Sequence, residues 1–440
     1  MIHLPDIVSP LPASVCFSIP IAAGILSLLL LWLLKWRHNA LAAKYAGWQK
    51  EAQTIESATH DGLYRQPFST ARPPYPYVSI VIPSCDDAEE LGYLLPRLTQ
   101  ADYKGHFEII VADQLALDEI RDVAFRAATP DIAVRYTRVP RTSRQIEMRK
   151  LAITLGIKAA HGEWVVIVDP HTVPEQTSWL QHLAENLNDE VDFVEAYYNY
   201  YDEGSMKARR AILDRVYDLN LRLNAHEKGL VLGCPASNYA IRKQWFVNEK
   251  GFADSLNLPF GEESIFAFLH AQSDRTVLLC SPDTKLTEYL PTGSTLAQRR
   301  LFKHETLHQI LRLRPVHYGR SAFVLACPLL RYRTHTFICT LITYMWVACF
   351  GGYAVCRFIQ DTRTGVYDQS LIIHDIAMSL LLILSIVLPI HMLRKSLHAL
   401  HERRFGLYVI YYDMVQPIRL WLLGIKGFFQ RKSYRRRKFA

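Results

Sequence analysis

The sequence predicts an α/β domain with a mainly parallel sheet, accompanied by α-helical transmembrane segments. Three observations lead there. Short β-branched runs alternate with amphipathic helical stretches between residues 76 and 310, the pattern of βαβ units. Apolar runs of spanning length lie before and after that region. Acidic residues recur where the apolar runs stop, at the strand ends where open α/β sheets place their ligands.

Composition narrows the class. The chain has 440 residues, half of them hydrophobic, and a formal net charge of +8. The excess charge gathers in the carboxy-terminal tail and beside the apolar runs, a distribution that fits a membrane surface rather than a nucleic-acid groove. No zinc-ligand spacing and no RNA- or DNA-binding motif is present, so nucleic acid is not an expected partner. The 8 cysteines are scattered and imply no disulfide framework, which favours a reducing compartment.

Taken in order, residues 1–35 read as an amino-terminal transmembrane helix, with Val15 to Leu34 as its apolar run. Lys35, Arg37, Lys44 and Lys50 follow this run and no Lys or Arg precedes it. The expected topology therefore has the chain after Lys35 in the cytoplasm, at a cell (inner) membrane. The missing basic n-region argues against a cleaved signal peptide. Residues 36–75 are a polar connector ending in the stiff stretch Ala71 to Pro76. Residues 76–310 are the α/β domain, with strands at Val78–Ile82, Phe107–Ala112, Ile132–Arg138, Trp164–Val168 and Val191–Tyr197. Helices are expected at Ala88–Gln100, Glu147–Ala160 and Met206–Ala225. Residues 311–335 form an interfacial segment, and 336–393 hold two further spans, at Thr336–Phe358 and Leu371–Leu393. Residues 394–440 are an amphipathic, basic cytoplasmic tail whose last turns either meet anionic lipid or simply solubilise the chain.

The chemistry gathers at strand ends. Trp164 to Val168 is apolar and mostly β-branched, the signature of a strand buried on both faces. It stops at Asp169-Pro170-His171, leaving a carboxylate and an imidazole one residue apart, both able to bind a divalent cation. On its own the stretch also fits a turn aspartate followed by a surface histidine. Pro83-Ser84-Cys85-Asp86-Asp87 follows the first strand, Asp113 ends the second, and Gly261-Glu262-Glu263-Ser264 opens a later helix. Carboxylates after three strands of one parallel sheet line one crevice, a crevice suited to a nucleotide whose diphosphate needs a metal.

These segments resemble the family-2 glycosyltransferases with a GT-A fold, in particular the membrane-anchored bacterial type, over about residues 76 to 310 and the flanking helices. The resemblance implies a Rossmann-like GT-A domain that transfers a hexosyl or N-acetylhexosaminyl group. The donor would be a nucleotide sugar, UDP-linked, with Mn²⁺ or Mg²⁺ as the cation. It implies nucleotide contacts from Pro83, Asp86, Asp87 and Asp113, metal binding by the DXD-type residues Asp169 and His171, and a catalytic base at Glu262-Glu263, with Glu263 favoured. Lys150 matches a basic pair with Arg149 at the start of the helix before DXD, and Asn238 lies in the acceptor-side segment. Arg299 and Arg300 stand where processive synthases carry Gln-x-x-Arg-Trp, here altered to Gln298-Arg299-Arg300-Leu301-Phe302. They either help bind the pyrophosphate or belong to a basic interfacial helix. The expected reaction is a single displacement with inversion onto a lipid-linked or glycan acceptor in cell-surface polysaccharide or glycolipid synthesis, next to membrane lipid. The departures at His171 and Gln298–Phe302 leave two alternatives: a catalytically impaired scaffold of the same fold, and a processive polysaccharide synthase.

Overall fold

The computed structural model describes residues 41–56, 75–140, 148–256 and 261–310. Beyond these it describes mainly 372–403 and 405–437, with scattered positions between 21 and 29 and between 313 and 362. The chain divides into two compact units. One comprises residues 1–40, 330–395 and 404–420, the other 41–329, 396–403 and 421–440.

The larger unit holds the α/β domain. Helix α1 (Leu41–Glu56) precedes β1 (Val78–Ser84), α2 (Ala88–Leu98), β2 (Phe107–Asp113), α3 (Asp118–Ala127) and β3 (Val134–Arg138). Then come α4 (Met148–Ala159), β4 (Trp164–Ile167), β5 (Thr172–Pro174), α5 (Trp179–Ala184), β6 (Phe193–Ala196) and β7 (Tyr198–Tyr200). The domain continues through α6 (Met206–His226), β8 (Tyr239–Arg242), α7 (Lys243–Asn248) and α8 (Glu262–His270), and closes with β9 (Thr276–Leu279), β10 (Leu286–Glu288) and α9 (Gly293–Ile310). Seven strands form one sheet in the order β3-β2-β1-β4-β8-β6-β9, in which β8 alone runs against the others. The mainly parallel sheet expected from the sequence is present. A second, three-stranded sheet has the order β5-β10-β7.

The β-branched runs form central strands because both faces are covered. Along β1, Ile80 and Ile82 pack under Leu91, Leu94 and Leu95 of α2. Val81 points to the other face, against Ile153 and Ile157 of α4. In β4, Trp164 and Val166 join the first core and Val165 and Ile167 the second.

Two departures from the expected elements have physical causes. The strand expected over Val191–Tyr197 is the shorter β6, and β7 follows as a separate strand, because the chain leaves the large sheet for the small one at Tyr197. Helix α3 has no counterpart in the sequence reading: only Ile120 and Ala124 of it are buried, too thin a stripe to give a clear helical period.

Most of the expected first span and most of the second up to residue 347 lie outside the described residues, as does almost all of the interfacial segment 311–335, whereas residues 348–358 of the second are helical. The third falls on helix α10 (Ile372–Ala399), and among the described residues no helix is long and apolar enough to cross a membrane. In the smaller unit Leu28, Tyr353, Met378 and Leu381 pack together, and Arg357 pairs with Asp361 at 3.1 Å and with Asp375 at 3.3 Å. The amphipathic helix expected over Gly406–Phe429 is α11 (Tyr408–Arg437), and it continues through most of the basic run. Lys and Arg are good helix formers and favour a helix carboxyl terminus.

Helix α4 approaches β1 closely enough to need a glycine. A Cβ on Gly156 would lie 2.3 Å from Val81 Cγ1, whereas one on Gly92 of α2 meets nothing within 4 Å. Gly156→Ala is expected to destabilise by about 1–3 kcal/mol through overpacking, more than the roughly 1 kcal/mol that helix propensity returns. Gly92→Ala feels only the propensity gain. Opposite shifts in Tm for the two variants check the packing.

Candidate active site

The strand order sets β2, β1 and β4 side by side, so their carboxyl ends share one edge of the sheet. Asp169 follows β4, where its N–H donates to Ser237 Oγ at 3.0 Å and its Oδ1 accepts from the His171 N–H at 3.1 Å. Its Oδ2 meets Arg149 Nη1 at 3.4 Å. Arg149 is the second residue of α4 and also reaches the start of α8. Its Nε lies 3.3 Å from Glu262 Oε1, its Nη2 3.1 Å from Glu263 Oε1, and its Nη2 donates to Ala236 O at 2.9 Å. One guanidinium therefore gathers the carboxylates of Asp169, Glu262 and Glu263.

Backbone geometry places the two glutamates. Gly261 precedes α8 with φ +76°, and a Cβ there would lie 2.3 Å from Thr306 Oγ1, so glycine is required on both counts. Ser264 exchanges hydrogen bonds with Cys234, donating to its carbonyl at 2.8 Å and accepting from its N–H at 3.3 Å, which fixes the 232–236 segment beside the glutamates.

Burial sets the protonation states. Glu263 is 7% exposed, and burial together with neighbouring Glu262 pushes its carboxyl up to about 8, against the pull of Arg149. Burial alone would raise Asp169 as well, but Arg149, Arg299 and His171 hold it below the ordinary carboxylate range.

A second group of ligating side chains stands next to the first. Donor atoms of Asp87, Glu90 and His171 lie within 4.8 Å of one another. His171 Nε2 is 3.8 Å from Asp87 Oδ1, and Nδ1 is 4.0 Å from Glu90 Oε1. His171 Nδ1 is buried without a hydrogen-bond partner. Burial raises the Asp87 carboxyl, opposed by the Cys85 N–H, which donates to its Oδ2 at 2.6 Å. An imidazole flanked by two carboxylates is a donor set that fits a divalent cation of the Mn²⁺ type. In this arrangement the His171 ring turns toward Asp87 and Glu90, while Asp169 turns to Arg149, so the two DXD-type residues do not converge.

The remaining sequence-predicted residues divide. Pro83 is buried within β1, and Asp86 is exposed at the turn with φ +61°. Asp113 is fully buried, and its carboxylate accepts from Leu115 N at 2.8 Å, Leu117 N at 2.6 Å and Tyr136 OH at 2.9 Å, so it fixes the turn that leads into α3. Lys150 turns into the core and donates to Ser255 O at 2.7 Å. Asn238, at φ +65°, bridges Tyr197 O, Thr284 O and Trp179 Nε1. Arg299 pairs with Glu288, and Arg300 with Asp214 at 2.8 Å.

A cavity of about 460 Å³ opens onto Arg149, Asp169, Glu262 and Glu263. Helices α6 and α9 line it as well. Asp214, Arg215, Asp218 and Arg222 recur at helical spacing along α6, and Arg299, Arg300 and Lys303 along α9. The apolar stripe of α6 runs through Ile212, Val216, Leu219 and Leu223, all buried. The charged stripe, offset along the same helix, is the signal that could have revealed the cavity.

Residues 79–248 match the family described as "Glycosyl transferase family 2". The match supports a glycosyltransferase domain over these residues, and the protein is a transferase. No curated protein matches the chain. Solved structures similar to it include mannosyltransferase PcManGT from Pyrobaculum calidifontis in complex with GDP-Man and Mn²⁺. That likeness has 15% identity and a TM-score of 0.47, and covers 87% of this chain and 99% of that one. S. aureus TarS 1-349 in complex with UDP-GlcNAc is similar at 15% identity and a TM-score of 0.41, over 63% of this chain and 80% of that one. Mannosyl-3-phosphoglycerate synthase from Rubrobacter xylanophilus follows at 15% identity and 0.32, over 54% and 76%.

Removing the shared cation strands buried carboxylates. Arg149→Gln is expected to lower stability by about 3 kcal/mol, the cost of breaking a buried ion pair from one side. Denaturant unfolding of this variant beside Glu262→Gln, which keeps the guanidinium paired, checks that Arg149 is the common partner.

Proposed function

Starting from a glycosyltransferase domain, we propose that this protein is a metal-assisted, inverting enzyme that moves a sugar from a nucleotide sugar, UDP-linked, to an acceptor hydroxyl. The observation that carries this reading is Glu263, a buried carboxylate of high proton affinity at the edge of the cavity. In the proposed step the acceptor oxygen bonds to the anomeric carbon, and the bond from that carbon to the diphosphate oxygen breaks. The electron pair leaves on the diphosphate, and the acceptor proton passes to Glu263. Asp87, Glu90 and His171 would hold the divalent cation, with Asp169 on the neighbouring turn. Mn²⁺ or Mg²⁺ bound there supplies positive charge for the leaving diphosphate. Arg149 holds Asp169 and both glutamates in place while substrate enters.

We further infer an acceptor that is lipid-linked or part of a glycan, and a role in cell-surface polysaccharide or glycolipid synthesis. Membrane attachment, with the catalytic domain on the cytoplasmic side of a cell membrane, is supported by the apolar runs of the sequence and the basic residues after Leu34. It is also supported by the exposed Ile373, Ile376, Leu380 and Ile383 of α10 and the exposed Trp421 and Leu422 of α11. A catalytically impaired form is the second reading, favoured by the ion pair that ties Asp169 to Arg149.

One assay separates these readings. The full-length protein is incubated with a panel of nucleotide sugars and Mn²⁺ or Mg²⁺, following metal-dependent donor hydrolysis or transfer. Turnover with none of them sinks the enzyme reading. With a turned-over donor, Glu263→Gln is expected to cost 10²-fold or more in rate, on the order of a general base's contribution. The sign of the pH dependence follows from the raised carboxyl. Glu263 accepts a proton only when ionised, so activity climbs as pH rises through about 8 and levels off above it. A flat profile between pH 6 and 9 contradicts that role.

The cation site has its own readout. Mn²⁺ is expected to raise the Tm of the wild-type protein, and Asp87→Asn or His171→Ala to abolish the shift. An unchanged shift in both variants moves the metal elsewhere.

A further inference from the structure

Helices α6 and α9 contribute a separate cluster of charges to the cavity, one that the proposed chemistry leaves unused. Arg215 stacks over Tyr198 at 3.7 Å and Tyr200 at 3.9 Å and pairs with Glu288. Arg222 lies 3.7 Å from Asp218, and Lys303 lies 2.8 Å from the same carboxylate. Each carboxylate thus serves two cations: Glu288 takes Arg215 and Arg299, and Asp218 takes Arg222 and Lys303. Among the lining residues of α6, α9 and β10, Arg215, Arg222, Arg299, Arg300 and Lys303 face only Asp214, Asp218 and Glu288.

The surplus is not cancelled from behind. Glu195 pairs with Arg222 at 3.0 Å, but burial pushes its carboxyl up to about 7, and burial likewise lowers the Lys303 ammonium against the pull of Asp218, so the charge that stays fixed is that of the guanidinium groups. Nη1 of Arg215 and Nε of Arg222 are buried atoms without hydrogen-bond partners, and Arg222 is only 9% exposed. Arg215, Arg222 and Lys303 all line the cavity wall, where guanidinium and ammonium groups pair with phosphate and carboxylate oxygens. Arg299 and Arg215 meet at Glu288, and Arg222 and Lys303 stand further along the two helices at Asp218.

We propose that Arg215, Arg222 and Lys303 form a subsite for an anionic group on the acceptor, a phosphate ester or a carboxylate. This rests on the transferase reading above and narrows its acceptor class. The acceptor hydroxyl meets the acidic cluster at Glu263, and the acceptor's own negative charge is held at the α6–α9 side. A neutral acceptor leaves the surplus charge unmatched and binds weakly.

The test titrates probes onto the full-length protein in EDTA, which removes any metal route to anion binding. Phenyl phosphate stands for the headgroup of a lipid carrier and methyl glucuronide for an acidic glycan, with methyl glucoside as the neutral control. At least one anion is expected to bind tenfold or more tightly than the glucoside. Lys303→Gln and Arg215→Gln are each expected to weaken that anion at least tenfold, and Lys303→Arg to restore it. Phosphate preference assigns a lipid carrier, and glucuronide preference an acidic glycan. Thermal stabilisation by a nucleotide sugar with Mn²⁺, unchanged in both Gln variants, shows that they fold and keep the donor site. If no nucleotide sugar stabilises the wild type, the transferase reading fails separately from the subsite. Binding of the glucoside as tight as that of either anion overturns the proposal, as does unchanged anion affinity in both Gln variants.

Discussion

The site depends on one guanidinium. Asp169 comes from the end of β4, and Glu262 and Glu263 from the start of α8, on segments almost a hundred residues apart in sequence. Burying three carboxylates together is unfavourable, since each loses hydration and repels the others. Arg149 makes it tolerable by placing its fork within 3.4 Å of all three. Arginine suits the position because its donors are planar and fixed in direction, which a lysine ammonium does not offer. Local rules then supply the aim: the close approach of α4 to β1 at Gly156 sets the helix on the sheet, and the left-handed Gly261 turns the chain into α8.

The same cluster explains what could be read in the sequence and what could not. The strands β1, β2 and β4 were legible because central parallel strands are buried on both faces and become unbroken apolar runs. Carboxylates at their ends were legible as a group, because a parallel sheet aligns those ends. Which side chains turn into the crevice was not legible. Arg149 and Lys150 are adjacent and alike in charge, yet one helical step of about 100° sends the first to the carboxylates and the second to Ser255 O. Asp113 and Asn238 have residue types that suit a ligand, but the backbone and side chains around them already use their polar atoms. Short strands such as β5, β7 and β10 carry three residues each and leave no period to detect.

Charge is distributed unevenly across the cavity. At the Asp169 and Glu263 side one cation is shared by three carboxylates. Along α6 and α9 the ratio reverses, and single carboxylates are shared by two cations. Low-dielectric walls strengthen such an asymmetry, because water does not screen it fully. A molecule with a hydroxyl at one end and a negative charge at the other is oriented by this field before any specific contact forms.

Orientation and protonation then meet at Glu263. Burial that raises its proton affinity makes it a stronger base once ionised, but also lowers the fraction ionised near neutral pH. Arg149 moderates that conflict, pulling the carboxyl back toward ionisation against the combined push of burial and Glu262. Any positive charge brought near Asp169 adds to the same pull, and it competes with Arg149 for the aspartate's Oδ2. A cation that engaged Asp169 would leave Arg149 to the two glutamates, so the same guanidinium would link the donor side to the ionisation of the base.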